Sequence, residues 1–107
     1  MFEKSNKTTV RNCQFIKSIN AVAGFYDDGS CTIFDIPTGD IVKDVKMHSE
    51  RIQTIARKDN FMATGSYDKK IKIWKGESFD ECVKEFEHGY AVESVCWVGN
   101  GLWTHKL

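Results

Sequence analysis

His48 and His88 stand 40 residues apart, and the same offset separates Ile52 from Val92, Ile55 from Val95, Asn60 from Asn100 and Thr64 from Thr104. Phe34 and Trp74 keep it too, whereas Gly24 and Gly65 are 41 apart, which assigns one extra residue to the Asp27–Ser30 turn of the first unit. A period of about forty residues marks a repeated supersecondary unit that buries its apolar faces by packing on its neighbours. Any fold proposed for the chain has to place three such units, at approximately 8–47, 48–87 and an incomplete 88–107, in nearly equivalent surroundings.

Within each period the runs are short. Cys13 to Ile16, Ala21 to Phe25, Cys31 to Asp35 and Ile41 to Met47 are apolar or β-branched runs, separated by the turn-like Lys17–Asn20, Asp27–Ser30 and Pro37–Asp40. The second pass repeats this order. Strands are expected at 51–56, 61–66, 71–74 and 82–86, with turns at Lys58-Asp59-Asn60 and Asp68-Lys69-Lys70 and a loop at 76–80. Ile71-Lys72-Ile73-Trp74 alternates with period two, as a half-buried strand does. A third pass starts at Val92 and turns at Gly99-Asn100-Gly101. No segment carries a helical apolar stripe, and strands recur about every ten residues, so the fold class is all-β.

The bulk numbers exclude several function classes. Of 107 residues, 15 are basic and 15 acidic, which removes the electrostatic footprint of a nucleic-acid or anionic-membrane binder. Polar residues interrupt every hydrophobic run well short of a membrane span. The start, MFEKSNKTTV, has no apolar core of a secretory signal. An intracellular protein, cytoplasmic or nuclear, is the expectation, with no membrane or nucleic-acid partner. Cys13, Cys31, Cys82 and Cys96 form no CxxC pair, so no metal site is expected and each reads as a small apolar strand residue. No cofactor is expected.

At this point the chain resembles the WD-repeat family of β-propellers. The middle unit carries the likeness: His48 stands for the histidine of the family's Gly-His pair, with Met47 in place of the glycine. Ala63-Thr64-Gly65-Ser66-Tyr67-Asp68 looks like its Ser-Gly-Ser-x-Asp segment, and Ile71-Lys72-Ile73-Trp74 like the strand ending in Trp-Asp, with Lys75 for the aspartate. The resemblance implies four-stranded antiparallel blades and a hydrogen-bonded structural tetrad of His48, Thr64, Asp68 and Trp74. Histidine, aspartate and a hydroxyl also compose a nucleophile triad, but here their spacing follows the blade template, so no catalytic residue is assigned. In the first unit Thr8, Ala23 and Phe34 fall at the histidine, threonine and tryptophan positions and only Asp27 matches; the third keeps His88 and Thr104.

The family's usual role implies a non-enzymatic scaffold whose partners are other proteins or peptides. By the same resemblance Arg51, Gln53 and Tyr67, with Tyr26 in the first unit, are the protein-binding positions. A narrower alternative is substrate recognition in a ubiquitin-ligase complex, on the weak basis that the Lys58-Asp59-Asn60 turn lacks a proline. A remote one is an enzyme using Cys82 and His88. Forty residues per unit give about 2.7 units in 107 residues, fewer than the four to eight blades of a closed ring. A partial propeller is expected, as a truncated derivative or completed by blades of another chain or by self-association.

Overall fold

The computed structural model describes residues 9–76, 78–98 and 101–106. Ten strands follow in order: β1 (Val10–Ile16), β2 (Ala21–Tyr26), β3 (Ser30–Asp35), β4 (Ile41–Lys46), β5 (Ile52–Lys58), β6 (Phe61–Ser66), β7 (Lys70–Lys75), β8 (Glu81–Glu87), β9 (Val92–Val98) and β10 (Gly101–Lys106). A single 3-10 turn, Lys17–Ile19, is the only helical element among the described residues. Strands β1 to β4 and β5 to β8 form two four-stranded antiparallel meanders, and β9 pairs with β10 in a third sheet. No described helix is long and apolar enough to cross a membrane.

The pairing registers define the repeat more sharply than residue identities do. Val22 pairs with Phe34 as Met62 pairs with Trp74, and Gly24 pairs with Thr32 as Thr64 pairs with Lys72. The second and third strands are therefore related by 40 residues throughout, and the Asp27–Ser30 turn holds no extra residue. The insertion lies earlier. Cys13 pairs with Gly24 as Ile55 pairs with Thr64, an offset of 42 in the first strand. Its cause is the longer link between β1 and β2, where the 3-10 turn closes on Asn20 at φ +50°. In the second sheet the two-residue turn Asp59–Asn60 does the same job, with Asp59 at φ +53°.

This register corrects the assignment of the first unit. Gly24, not Ala23, stands where Thr64 does, and Asp28, not Asp27, stands where Asp68 does. Asp28 Oδ1 accepts from the Ser30 amide and hydroxyl, as Asp68 Oδ1 accepts from the Lys70 amide. Thr8 lies outside the described residues. Thr104 pairs with Val95 as Thr64 pairs with Ile55.

Each first strand also skips a residue at the same place. Val10 pairs with Tyr26 and Asn12 with Phe25, leaving Arg11 unpaired; Gln53 and Glu93 are left out in the same way in β5 and β9. A bulge turns its extra side chain away from the ladder and raises the local twist.

Alternation places the core between sheets. Ala23, Phe25, Cys31 and Ile33 of the first sheet pack with Ile52, Met62 and Trp74 of the second, together with Met47 from the linker and Phe79. Full burial of a side chain such as Phe25 or Ile33 stabilises by roughly 1.5–3 kcal/mol relative to exposure. Phe79 lies in the stretch expected to be only a loop, yet it is 1% exposed and tilts against Phe25 with ring centroids 5.8 Å apart. Between the second and third sheets Ala63, Ile71 and Ile73 meet Val92 and Val95. The approach is closest at Gly65, where an added Cβ would sit 2.6 Å from Val92 Cγ1. Of the cysteines, Cys31 fills a core position, whereas Cys13 and Cys82 are exposed and free. These two are edge or outer-face residues rather than the apolar fillers expected; the side chain of Cys96 lies outside the described residues.

Candidate functional site

Two clusters of polar side chains arise from this scaffold, one buried and one exposed. The buried cluster is held by the linker between β4 and β5. Met47 is fully buried there, and its carbonyl accepts from Lys72 Nζ at 2.6 Å. This delivers His48 into the face of the second sheet. His48 Nε2 lies 2.7 Å from Thr64 Oγ1, His48 Nδ1 lies 3.0 Å from Asp68 Oδ2, and Trp74 Nε1 donates to Thr64 Oγ1 at 3.0 Å.

Chemistry fixes the direction of every bond. An indole N–H can only donate and a carboxylate can only accept. Thr64 therefore accepts from Trp74, the neutral imidazole keeps its proton on Nδ1 facing Asp68, and Thr64 turns its O–H toward the remaining ring nitrogen. Nε2 is then the acceptor, and Nδ1 carries the proton that it donates to the Asp68 carboxylate. Asp68 also accepts from the Ser49 and Lys70 amides at 3.1 and 2.9 Å. Burial alone would push Asp68 up; interaction with His48 and the two amide donors outweigh it and hold the carboxyl below its ordinary value. Burial pushes His48 down, against the pull of Asp68, so the imidazole is neutral at pH 7.

The order hydroxyl, imidazole, carboxylate is that of a nucleophile triad, but Thr64 is 0% exposed and its oxygen already accepts from Trp74. No substrate carbonyl can approach it. The arrangement locks two strands, a turn and a linker together. At the other suggested reactive pair, Cys82 Sγ points to the Lys84 carbonyl oxygen at 3.5 Å, while the His88 amide donates to Lys69 O at 2.7 Å.

A pH dependence follows with a definite sign. His48 binds its proton more weakly in the folded chain than in the unfolded one, whose imidazole titrates near 6.5. Below that pH the unfolded state holds more protons, so stability is complete above about pH 6.5 and declines as the pH falls. Asp68, also depressed, adds a further loss below its ordinary carboxylate range. Urea midpoints measured from pH 8 to pH 5 should fall on acidification, with a shallower fall in His48→Gln. A midpoint that rises toward pH 5 would contradict the relay.

The exposed cluster joins the first two sheets at one end. The Asp27 amide donates to Thr9 O at 2.8 Å as the Tyr67 amide donates to Arg51 O at 3.1 Å, so Thr9, Arg11 and Asp27 are the first-sheet counterparts of Arg51, Gln53 and Tyr67. Arg11 Nε donates to Asp27 Oδ1 at 2.6 Å, and Arg51 Nε lies 3.0 Å from the same oxygen. The Arg51 guanidinium also sits over the Tyr67 ring, 5.0 Å from its centroid. Asn12 Nδ2 donates to Gln53 O at 3.1 Å, tying the two bulged strands together. The hydrogen bond and charge of Asp27 push the Arg11 pKa up further.

Arg51 and Tyr67 are thus brought together, with Gln53 two residues on, in β5. Tyr26 is not with them. It occupies the register of Ser66 and is 4% exposed, with its ring against Gly24, where an added Cβ would lie 3.3 Å from Tyr26 Oη. Burial pushes its phenol pKa up. Arg11 and Asp27, which sequence reasoning did not single out as surface contacts, stand beside Arg51 instead. The bulge signal at Gln53 would have found Arg11 had the offset of 42 in the first strand been recognised.

Comparison with known proteins agrees with this architecture. Residues 39–75 match the family model described as WD domain, G-beta repeat. The chain is 40% identical over 67 residues to myosin heavy chain kinase C of Dictyostelium discoideum, covering 62% of this chain and 8% of that protein. It is 36% identical over 78 residues to the U3 small nucleolar RNA-associated protein 15 homolog of Xenopus laevis, covering 70% and 15%. The crystal structure of the RRP9 WD40 repeats superposes with a TM-score of 0.77 at 17% identity, over 94% of this chain and 33% of that one. The chain therefore spans a small part of each relative and about a third of the structural neighbour.

Proposed function

We propose that this chain, which belongs to the WD-repeat family of β-propeller proteins, serves as a non-enzymatic scaffold for protein–protein interaction. One observation carries the reading: equivalent positions of adjacent blades, Arg11 and Asp27 beside Arg51 and Tyr67, form one continuous, partly exposed cluster. Arginine and tyrosine combine contact area with directional donors and are enriched where binding energy concentrates. The buried tetrad gives those positions a rigid base, which lowers the ordering cost of binding.

The partner class is protein or peptide, and the location intracellular, cytoplasmic or nuclear. A relative's name refers to small nucleolar RNA, but the charge balance of 15 against 15 favours a protein as the direct contact of this chain. The ubiquitin-ligase reading rests only on the Asp59–Asn60 turn, and no further observation favours it. A further blade, from another chain or a second copy, would pack at the outer strands of the first sheet, where Phe15 and Ile41 are 52% and 55% exposed; Val22 and Phe34, in register between them along one ladder, are half-buried and buried. The equivalent ladder of the second sheet, Arg57, Met62, Trp74 and Cys82, faces the first.

The test is quantitative affinity capture with parent chain and the Arg51→Ala/Tyr67→Ala double variant. Loss of specific partners at unchanged melting temperature is expected, because exposed ion pairs contribute at most about 1 kcal/mol to stability. An identical set of captured partners would remove this face from consideration.

A further inference from the structure

We infer that Arg11 and Arg51 form a two-blade clamp for a carboxylate side chain, so that the peptide recognised at this face carries an aspartate or glutamate at a fixed position. The inference rests on the scaffold reading above and specifies its ligand.

The charge count of the cluster is the first reason. Two guanidiniums share one oxygen of one carboxylate, Asp27 Oδ1, which leaves these three side chains at a net +1 in a chain whose basic and acidic residues are equal in number. The adjacent acid, Asp28, accepts through Oδ1 from the Ser30 amide and hydroxyl. Donor capacity is the second. Each guanidinium offers five N–H groups in a planar fork. Arg11 and Arg51 each approach Asp27 through Nε, and neither has another hydrogen-bond acceptor among the described residues. Both side chains remain reachable, at 41% and 31% exposure.

Pre-organisation is the third. The bulge at Arg11 and the Tyr67 ring beneath Arg51 hold the two forks from different blades at one point. Stacking and a fixed plane reduce the side-chain entropy lost when a second carboxylate is gripped. A carboxylate is the ligand rather than a phosphoryl group because one negative charge neutralises the cluster, whereas a dianion overshoots it. Arginine–carboxylate pairing is commonly bidentate, which adds direction to charge.

The experiment is selection of a phage-displayed random dodecapeptide library on the whole chain, followed by titration of synthetic peptides. Selected sequences should carry Asp or Glu at one position. Changing that residue to Gln or Asn should weaken binding about tenfold or more, as expected for loss of a charged hydrogen-bonded partner. Arg51→Glu, an exposed change not expected to unfold the chain, should invert the preference toward Lys at that position.

Peptides that bind through Tyr67 and Gln53 but tolerate the neutral change within about twofold would overturn the clamp and leave the scaffold face standing. No enrichment on the parent chain would overturn both. Tighter binding of the phosphoserine peptide than of the glutamate peptide would overturn the carboxylate assignment. So would tighter binding of a twelve-residue oligouridylate.

Discussion

Thr64→Val is expected to destabilise the chain by about 3 kcal/mol, although it changes neither volume nor shape. The hydroxyl it removes is the junction of the buried relay: it accepts from Trp74 Nε1 and donates to His48 Nε2. Valine leaves a buried indole N–H and a buried imidazole nitrogen without partners. Each orphaned group costs about 1–3 kcal/mol, because neither can turn to water. Thr64→Ser keeps the hydroxyl and loses only a methyl, at about 1 kcal/mol. Adding Trp74→Phe to Thr64→Val removes the stranded donor, so the double variant should cost less than the two single changes combined. Urea unfolding of the parent, the three single variants and the double variant decides the matter. A Thr64→Val variant within about 0.5 kcal/mol of the parent would show that the oxygen is not the junction.

The relay was readable in the sequence because its members sit at fixed spacings inside one unbroken unit. His48, Thr64, Asp68 and Trp74 all belong to the second sheet or to the linker feeding it, and no insertion separates them. The exposed cluster was only half readable. Arg51, Gln53 and Tyr67 are local to the same unit, but Arg11 is displaced by the two extra residues between β1 and β2, and Asp27 had been matched to Asp68 instead of Tyr67. Matching Gly24 to Gly65 suggested an insertion in the wrong turn. Residue identity was misleading there because Gly24 makes room for the Tyr26 ring while Gly65 makes room for Val92. These are separate steric needs met by the same residue type. Phe79 was missed for another reason: it enters the core from a turn, at φ +54°, where no strand alternation can announce it.

Gly29→Ala should be at least as costly as Thr64→Val, about 3 kcal/mol or more, and for a reason that the second sheet isolates. Gly29 closes its turn at φ +87°, and Lys69 holds the equivalent position at φ +73°. A non-glycine residue is therefore compatible with this turn. What differs is the neighbour. A Cβ on Gly29 would lie 2.0 Å from the His48 carbonyl oxygen and 2.7 Å from that of Glu50, both backbone atoms that no rotamer change can move aside. Gly29 O also accepts from the Met47 and His48 amides at 3.0 and 2.9 Å, so relieving the clash pulls the linker away from the turn. That linker carries the imidazole of the relay. Overpacking against fixed backbone costs at least 1–3 kcal/mol, and the left-handed conformation adds about 1 kcal/mol for alanine. Lys69→Ala, exposed and already carrying a Cβ at this position, should stay within about 0.5 kcal/mol of the parent. Because Gly29→Ala and Thr64→Val both dislodge His48, their costs should be less than additive when combined. A Gly29→Ala cost of only about 1 kcal/mol, the left-handed penalty alone, would show that turn strain rather than the carbonyl clash matters, and full additivity with Thr64→Val would show that the turn does not position the imidazole.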